Sequence, residues 1–399
     1  MNLLILHPNF PAQFKEPAIE ATKLGWNVKF VCQTHYGRSI PKVERIKIKG
    51  RLSKEYLDNH KLEGFERTQE IAIQYRLILD SFKKENYRPD VIISHSGWGV
   101  GLFAKELWPD SYLISYFEWW YKADSYLYRY DTDNKWLNYT TEAIASLWKK
   151  NQSMALEMAS ANFIATPSMW QRNQLPQIYQ KITHIIEESI ESDIFEEREN
   201  KKISRDKNNI KLTYGTRGFE PIRCFSEFIN ELPSILAKFN NIDVSIAGSD
   251  MIFYGGKNPV PNDKEITWKK WAVNFLTGKN CMDRVSFVGS LPRKNYIEWL
   301  GSSDIHVYLT QPYIASWSLK DALILGKNII GSDTPPVQEY YSDQGMTLVD
   351  HRKPGFLLPA VEEIVKMGAK KRHARAPSPL ARWGKGAGWK DVLVHHVHT

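Results

Sequence analysis

Short apolar runs, each followed by a segment with apolar residues at helical spacing, recur in two series, and this alternation constrains the fold more than any other feature. Asn2 to Leu6 is apolar and ends at His7-Pro8-Asn9-Phe10-Pro11, where two prolines forbid regular structure. Phe14 to Leu24 carries helical spacing and closes at Gly25, and Val28 to Cys32 is apolar again. Strand, helix and strand in about 30 residues make a βαβ unit, so a parallel sheet is expected. The alternation continues through 90–94 (DVIIS), 111–116 (SYLISY), a helical stretch over 137–159, and 161–166 (ANFIAT).

Residues 196–209 (EERENKKISRDKNN) hold almost no apolar side chains and both signs of charge, the composition of a linker. A second series follows. Apolar runs at 211–214, 243–247, 285–288 and 328–330 stop at Gly215, Gly248, Gly289 and Gly331, a further run spans 305–309, and helices are expected over 224–239 and 318–325. Glycine just beyond a parallel strand lets the backbone turn sharply and approach a ligand at the strand's carboxyl end. The expected class is α/β: two Rossmann-like parallel-sheet domains facing across a cleft. The expected boundaries are 1–195 for the first domain, 196–209 for the linker, 210–354 for the second domain and 355–399 for a basic tail.

Composition narrows the function. Charged residues at 25% and hydrophobic ones at 42% are ordinary for a globular chain of 399 residues. No apolar run approaches the ~18 residues of a spanning helix, and Leu3 to Leu6 is too short for an export leader, so a cytoplasmic protein is expected. Cys32, Cys224 and Cys281 lie far apart, against a disulfide scaffold or structural zinc. Of the net +8, residues 370–399 supply seven Lys/Arg against one Asp, leaving +2 for the rest. Such a localised excess describes a tail and not a nucleic-acid surface.

No Walker A, H-E-x-x-H or G-x-S-x-G motif occurs, and 95–101 (HSGWGVG) lacks the third glycine of a dinucleotide fingerprint. Architecture alone leaves a glycosyltransferase, a sugar-nucleotide epimerase and a periplasmic-type binding protein open, the last disfavoured without an export leader.

Eight stretches sharpen the choice: 7–14 (HPNFPAQF), 94–100 (SHSGWGV), 116–121 (YFEWWY), 216–223 (TRGFEPIR), 246–250 (IAGSD), 285–291 (VSFVGSL), 316–323 (SWSLKDAL) and 332–339 (SDTPPVQE). In this order they resemble the retaining family-four (group 1) glycosyltransferases of GT-B architecture, and within them a bacterial subgroup with an N-terminal HPNFP loop. The resemblance covers residues 1 to about 350. It implies a nucleoside-diphosphate sugar as donor, held by the C-terminal domain, and a saccharide or lipid-linked saccharide acceptor on the N-terminal one. It implies no further cofactor and no metal, and a setting in cell-envelope or exopolysaccharide synthesis, with possible peripheral contact at the inner membrane face.

The resemblance also places residues. Arg217 and Arg223 are expected to clamp the donor phosphates, since guanidinium binds phosphate bidentately. Ser316 and Ser318 open a helix whose backbone N–H groups suit the distal phosphate. Asp321 stands where relatives bind the ribose, although Tyr313 replaces the usual first glutamate of that pair, and Glu339 is a candidate for a nucleotide edge. Glu118 and His95, at strand ends, are the catalytic candidates. His7, Asn9 and Gln13 lie in the loop expected to meet acceptor or sugar hydroxyls. Phe117, Trp119, Trp120 and Tyr121 suit sugar stacking, a membrane interface or core packing. Asp131-Thr132-Asp133 is expected to be a solvated loop of the first domain. Residues 185–191 lack the glycine of the family's hinge, and the tail is expected to pack against nothing, which leaves open whether the second domain is complete. A non-catalytic relative and an epimerase remain the alternatives.

Overall fold

A computed structural model of the chain describes residues 1–49, 56, 59–60, 64–137, 139–188, 194, 209–254, 267–340, 346–367 and 388–396. Two compact units divide it: Met1–Ser125 with Thr140–Ser189 and Lys385–Thr399, and Tyr126–Tyr139 with Ile190–Gly384. All but Asn209 of the expected linker lies outside the described residues, as do residues 189–191 of the expected hinge.

The first unit contains β1 (Asn2–Leu6), α1 (Lys15–Lys23), β2 (Asn27–Cys32), β3 (Val43–Lys47), α2 (Gly64–Lys84), β4 (Val91–His95), β5 (Tyr112–Tyr116), α3 (Thr141–Trp148), α4 (Asn151–Ser160), β6 (Phe163–Thr166) and β7 (Thr183–Ile185). The strands form one parallel sheet in the order β3-β2-β1-β4-β5-β6-β7. Both faces are covered, so the inner strands are mostly apolar. Leu3, Ile5, Phe30, Ile93 and Ile114 pack on one side with Phe10 and Phe14. Leu4, Leu6, Val31, Ile92 and Leu113 pack on the other with Ile71, Tyr75 and Leu79 of α2.

The helix expected over 137–159 is two helices. The Thr140 hydroxyl accepts from the Ala143 amide at 3.2 Å and starts α3. The break before α4 lets Asn151 bond both the amide (3.0 Å) and the carbonyl (2.8 Å) of Tyr121.

The second unit contains β8 (Ile210–Gly218), α5 (Phe225–Lys238), β9 (Ile242–Ser249), α6 (Trp268–Gly278), β10 (Val285–Gly289), α7 (Arg293–Gly301), β11 (Ile305–Tyr308), α8 (Trp317–Ile324), β12 (Asn328–Ser332), β13 (Met346–Val349) and α9 (Leu357–Lys366). Its parallel sheet runs β10-β9-β8-β11-β12-β13. Two parallel-sheet α/β domains, as expected, are therefore present. Of the four glycines expected just beyond strands, none lies outside one: β8, β9 and β12 run past Gly215, Gly248 and Gly331, and Gly289 is the last residue of β10. At Gly215 the reason is close approach, since a Cβ there would come 3.0 Å from the Trp299 ring.

The C-terminal region also differs from expectation. Leu357, Ala360, Val361 and Ile364 of α9 are buried in the core shared with α5, and Glu231 accepts from the amides of Gly355 (2.7 Å) and Leu357 (3.1 Å). The turn Trp389–Asp391 and the π-helical turn Val392–His396 do not hang free. Trp389, Val392 and Leu393 are at most 1% exposed, within a core of the first unit. An indole and two aliphatic side chains supply enough apolar surface to anchor a short segment. The rest of the basic stretch, 370–387 and 397–399, lies outside the described residues.

Candidate active site

In a doubly wound sheet, connections leave neighbouring strands in opposite directions at one place, and a crevice opens there at the carboxyl ends. In the first unit that place is β1 beside β4. His7 follows β1 and His95 ends β4, so the backbone brings the two rings together, 4.8 Å apart and nearly perpendicular.

The His7 Nδ1 accepts from the Asn9 amide at 2.8 Å, and its carbonyl accepts from the Tyr75 hydroxyl at 3.0 Å. Burial, reinforced by His95, holds His7 well below the ordinary histidine range. It is therefore a neutral ring with its proton on Nε2. The His95 Nδ1 lies 3.1 Å from the Ser96 carbonyl, which can only accept, so Nδ1 carries a proton. Its Nε2 is buried without a hydrogen-bond partner and sits 3.5 Å from Glu118 Oε2. Nε2 thus faces a carboxylate.

Glu118 follows β5. Its side chain is 31% exposed, Oε1 accepts from Gln13 Nε2 at 3.3 Å, and its carbonyl accepts from Gln171 Nε2 at 2.6 Å. His7, Gln13, His95 and Glu118 are thereby gathered. Asn9 is exposed, and its side-chain oxygen accepts instead from the Thr34 hydroxyl at 2.6 Å.

Two contributors escaped the sequence reading. Gln171 lies far along the chain from Glu118, and no local pattern marks it. Glu157 is fully buried on α4, where its Oε1 accepts from the Ser94 hydroxyl and its Oε2 has no partner. Burial pushes its carboxyl up to about 7, against the opposing pull of Ser94 and His95. Its spacing from Ser153 and Met154, both buried, is the signal that could have found it.

An aromatic shell supports the histidines. Phe14 lies 5.6 Å from His7 and 6.1 Å from His95, and Tyr116 lies 5.8 Å from His95. Trp389 in turn contacts Phe14 and Tyr116, each at 5.9 Å. Trp98, 43% exposed, is the open aromatic beside His95. Phe117 and Trp119 are core residues, and Trp120 and Tyr121 pack against the cluster around Phe117.

In the second unit the switch point is β8 beside β11. Arg217, near the end of β8, is exposed and its guanidinium stacks 4.1 Å over the Phe253 ring. Arg223 differs from the solvent-reaching clamp expected. It is 6% exposed, and its Nη1 donates to Thr310 Oγ1 (2.8 Å) and the Ile314 carbonyl (2.9 Å). It therefore shapes the loop that leads to α8. There Ser316, the N-cap residue, donates its amide to the Tyr308 hydroxyl at 2.7 Å, and its hydroxyl lies 2.6 Å from that of Ser318. The half-buried serines stand at the positive end of the helix dipole.

Asp321 is not an exposed helix residue. It is 5% exposed and held by Arg293 in a two-pronged pair at 2.6 and 3.3 Å, so that carboxylate is already engaged. Tyr313 is buried, its ring 5.4 Å from Tyr254. Glu339 is half-buried just after the short turn Pro335–Gln338. The Asp131-Thr132-Asp133 tripeptide belongs to the second unit, not the first. Asp131 accepts there from Gln311 (2.9 Å) and Asn134 (3.0 Å), which removes it from the solvated loop expected. Among the described residues no group of three His, Cys, Asp or Glu stands ready for a metal, and no helix is long and apolar enough to cross a membrane.

Two doubly wound sheets, each with its own switch point, define the GT-B class of fold, and solved structures of that class share it. The chain is similar to sucrose-phosphate synthase from Thermosynechococcus elongatus (TM-score 0.68, 14% identity, 100% of this chain and 98% of that one). It is similar to HepE of Anabaena in complex with UDP (0.64, 10%, 100% and 98%). It is also similar to WaaG, a glycosyltransferase involved in lipopolysaccharide biosynthesis (0.63, 13%, 99% and 100%). Residues 24–195 match the family described as the glycosyl transferase family 4 group. That match and the fold together support a glycosyltransferase. No curated protein matches the sequence.

Proposed function

We propose that the protein transfers a sugar from a nucleoside-diphosphate donor to a saccharide or lipid-linked saccharide acceptor, with retention of configuration and without a metal. The observation that carries this reading is the His95–Glu118 pair at a carboxyl-end switch point, inside the segment that matches a glycosyltransferase family. HepE of Anabaena is described with UDP, with UDP and glucose, and with UDP-glucose, which favours a uridine nucleotide here.

The chemistry follows from charge. As the glycosidic bond breaks, the sugar becomes positive and the leaving diphosphate negative. Arg217 is the exposed guanidinium at the second switch point, and the amides at the start of α8 add directed donors. Arg223 acts one step removed, by fixing the loop before Ser316. On the acceptor side Glu118 stabilises positive charge or orients the acceptor hydroxyl, and His95 Nε2 lies 3.5 Å from that carboxylate. Neutral His7 and Gln13 are hydrogen-bonding groups for sugar hydroxyls. The setting proposed is the cytoplasmic side of envelope or exopolysaccharide assembly.

The test is a reaction of the purified chain with a nucleotide sugar and candidate acceptors, read by NMR of the product's anomeric signal. A glycosylated product with the donor's anomeric configuration supports the reading. An inverted product removes retention, and free sugar released without any acceptor moves the assignment to an epimerase.

A further inference from the structure

Glu220 is fully buried within the 216–223 stretch, yet no phosphate-binding role suits a carboxylate there. Its Oε2 accepts from two successive amides, Phe253 at 2.7 Å and Tyr254 at 2.8 Å, while Oε1 is buried without a partner. Both of the residues so held touch a candidate phosphate-site arginine. The Phe253 ring lies under Arg217 at 4.1 Å, and the Tyr254 ring lies 5.6 Å from the Arg223 guanidinium and 5.4 Å from Tyr313. The same loop presses on the strand that carries Arg217. A Cβ on Gly218 would collide with the Met251 carbonyl and come 2.7 Å from Phe253, so glycine is what allows the contact. The Ser249 hydroxyl adds a bond to the Arg217 carbonyl at 2.7 Å.

We propose that Glu220 is a positioning residue: its buried carboxylate pins loop 251–254, and through Phe253 that loop fixes the Arg217 guanidinium for a nucleoside diphosphate. The ligand in this inference rests on the reading given under Proposed function; the clamp does not. A flat aromatic beneath a guanidinium leaves the edge of the fork open to phosphate oxygens while removing much of its rotational freedom. A hydrogen bond to a charged, buried acceptor is among the stronger ones available for such a task. Burial raises the Glu220 carboxyl, and the two amides and the neighbouring Arg223 and Arg217 pull it back.

The experiment compares wild type, Glu220→Ala and Glu220→Gln in two measurements. The first is hydrogen exchange, by mass spectrometry, of the peptide containing residues 250–254, without nucleotide. Glu220→Ala should speed that exchange roughly tenfold or more, and Glu220→Gln, which keeps an acceptor oxygen, should stay near wild type. The second is calorimetric binding of UDP and GDP against their nucleosides. Glu220→Ala should weaken the diphosphate roughly tenfold and leave the nucleoside unchanged, with rescue in Glu220→Gln. Equal exchange in wild type and both variants overturns the clamp. Faster exchange with unchanged diphosphate affinity overturns its link to Arg217. A wild type that binds neither nucleotide, yet shows the exchange difference, contradicts the donor reading and leaves the clamp standing.

Discussion

Glu118 does little to hold the fold together: it is part-exposed, and its carboxylate takes one long bond from Gln13. Its replacement should therefore separate chemistry from stability. Glu118→Gln is expected to lower kcat by about a hundredfold or more while the denaturant midpoint stays unchanged. Glu157 is the opposite case. Its carboxyl is raised from 4.5 to about 7 by burial, so only below about pH 4.5 do both folded and unfolded chains hold the proton and the group is neutral in its effect. Between about pH 4.5 and about pH 7 the unfolded chain ionises at no cost while the buried group of the folded chain keeps its proton, so stability is lost across that window and the loss levels off above about 7. The Glu157→Gln variant lacks that loss. Its melting temperature relative to wild type should rise between about pH 4.5 and about pH 7 and level off above, and a flat difference across that window contradicts the assignment. Residues of this kind explain the limits of reading sites from sequence. His7 and His95 were legible because each directly follows or ends an apolar run. Asp321 and Arg223 were legible as members of a motif but not as buried groups, since Arg293 and Thr310, which hold them, are brought close only by tertiary folding.

At the scale of elements, inner strands announced themselves and edge strands did not. β1, β4 and β5 are buried on both faces and read as apolar runs. β3 is VERIK, part-exposed along its length, and β7 is three residues long. Strands with one partner need less apolar surface, so neither β3 nor β7 left a signal. The C-terminal turn is the clearest miss. Its basic composition suggested a loose tail, but a single indole decides its fate: Trp389 is 1% exposed against Phe14 and Tyr116, the residues that line the histidines. Trp389→Ala should cost about 3–5 kcal/mol of stability, read by denaturant unfolding followed on a probe in the first unit. A loss below about 1 kcal/mol would mean that the segment is not seated as described.

For the whole molecule, the proposed function puts nucleoside-diphosphate binding on the second unit, through Arg217, and assigns the proposed catalytic carboxylate, Glu118, to the first. The parallel-sheet architecture of both units was legible from alternation alone, because strand and helix periods differ and repeat. The 126–139 segment was not: it lies between stretches of the first unit in sequence yet belongs to the second, through bonds such as Gln311 to Asp131 at 2.9 Å. Such an exchange depends on contacts remote in sequence, which no local pattern carries. The most direct test is a thermal-shift panel of UDP, GDP and their hexose conjugates on wild type and Arg217→Ala. Ligand bound only by the folded state raises the melting temperature by mass action. A rise with one nucleotide base, UDP first, that shrinks in the variant is expected. A cooperative melt that no nucleotide shifts, or a shift that Arg217→Ala leaves intact, contradicts it.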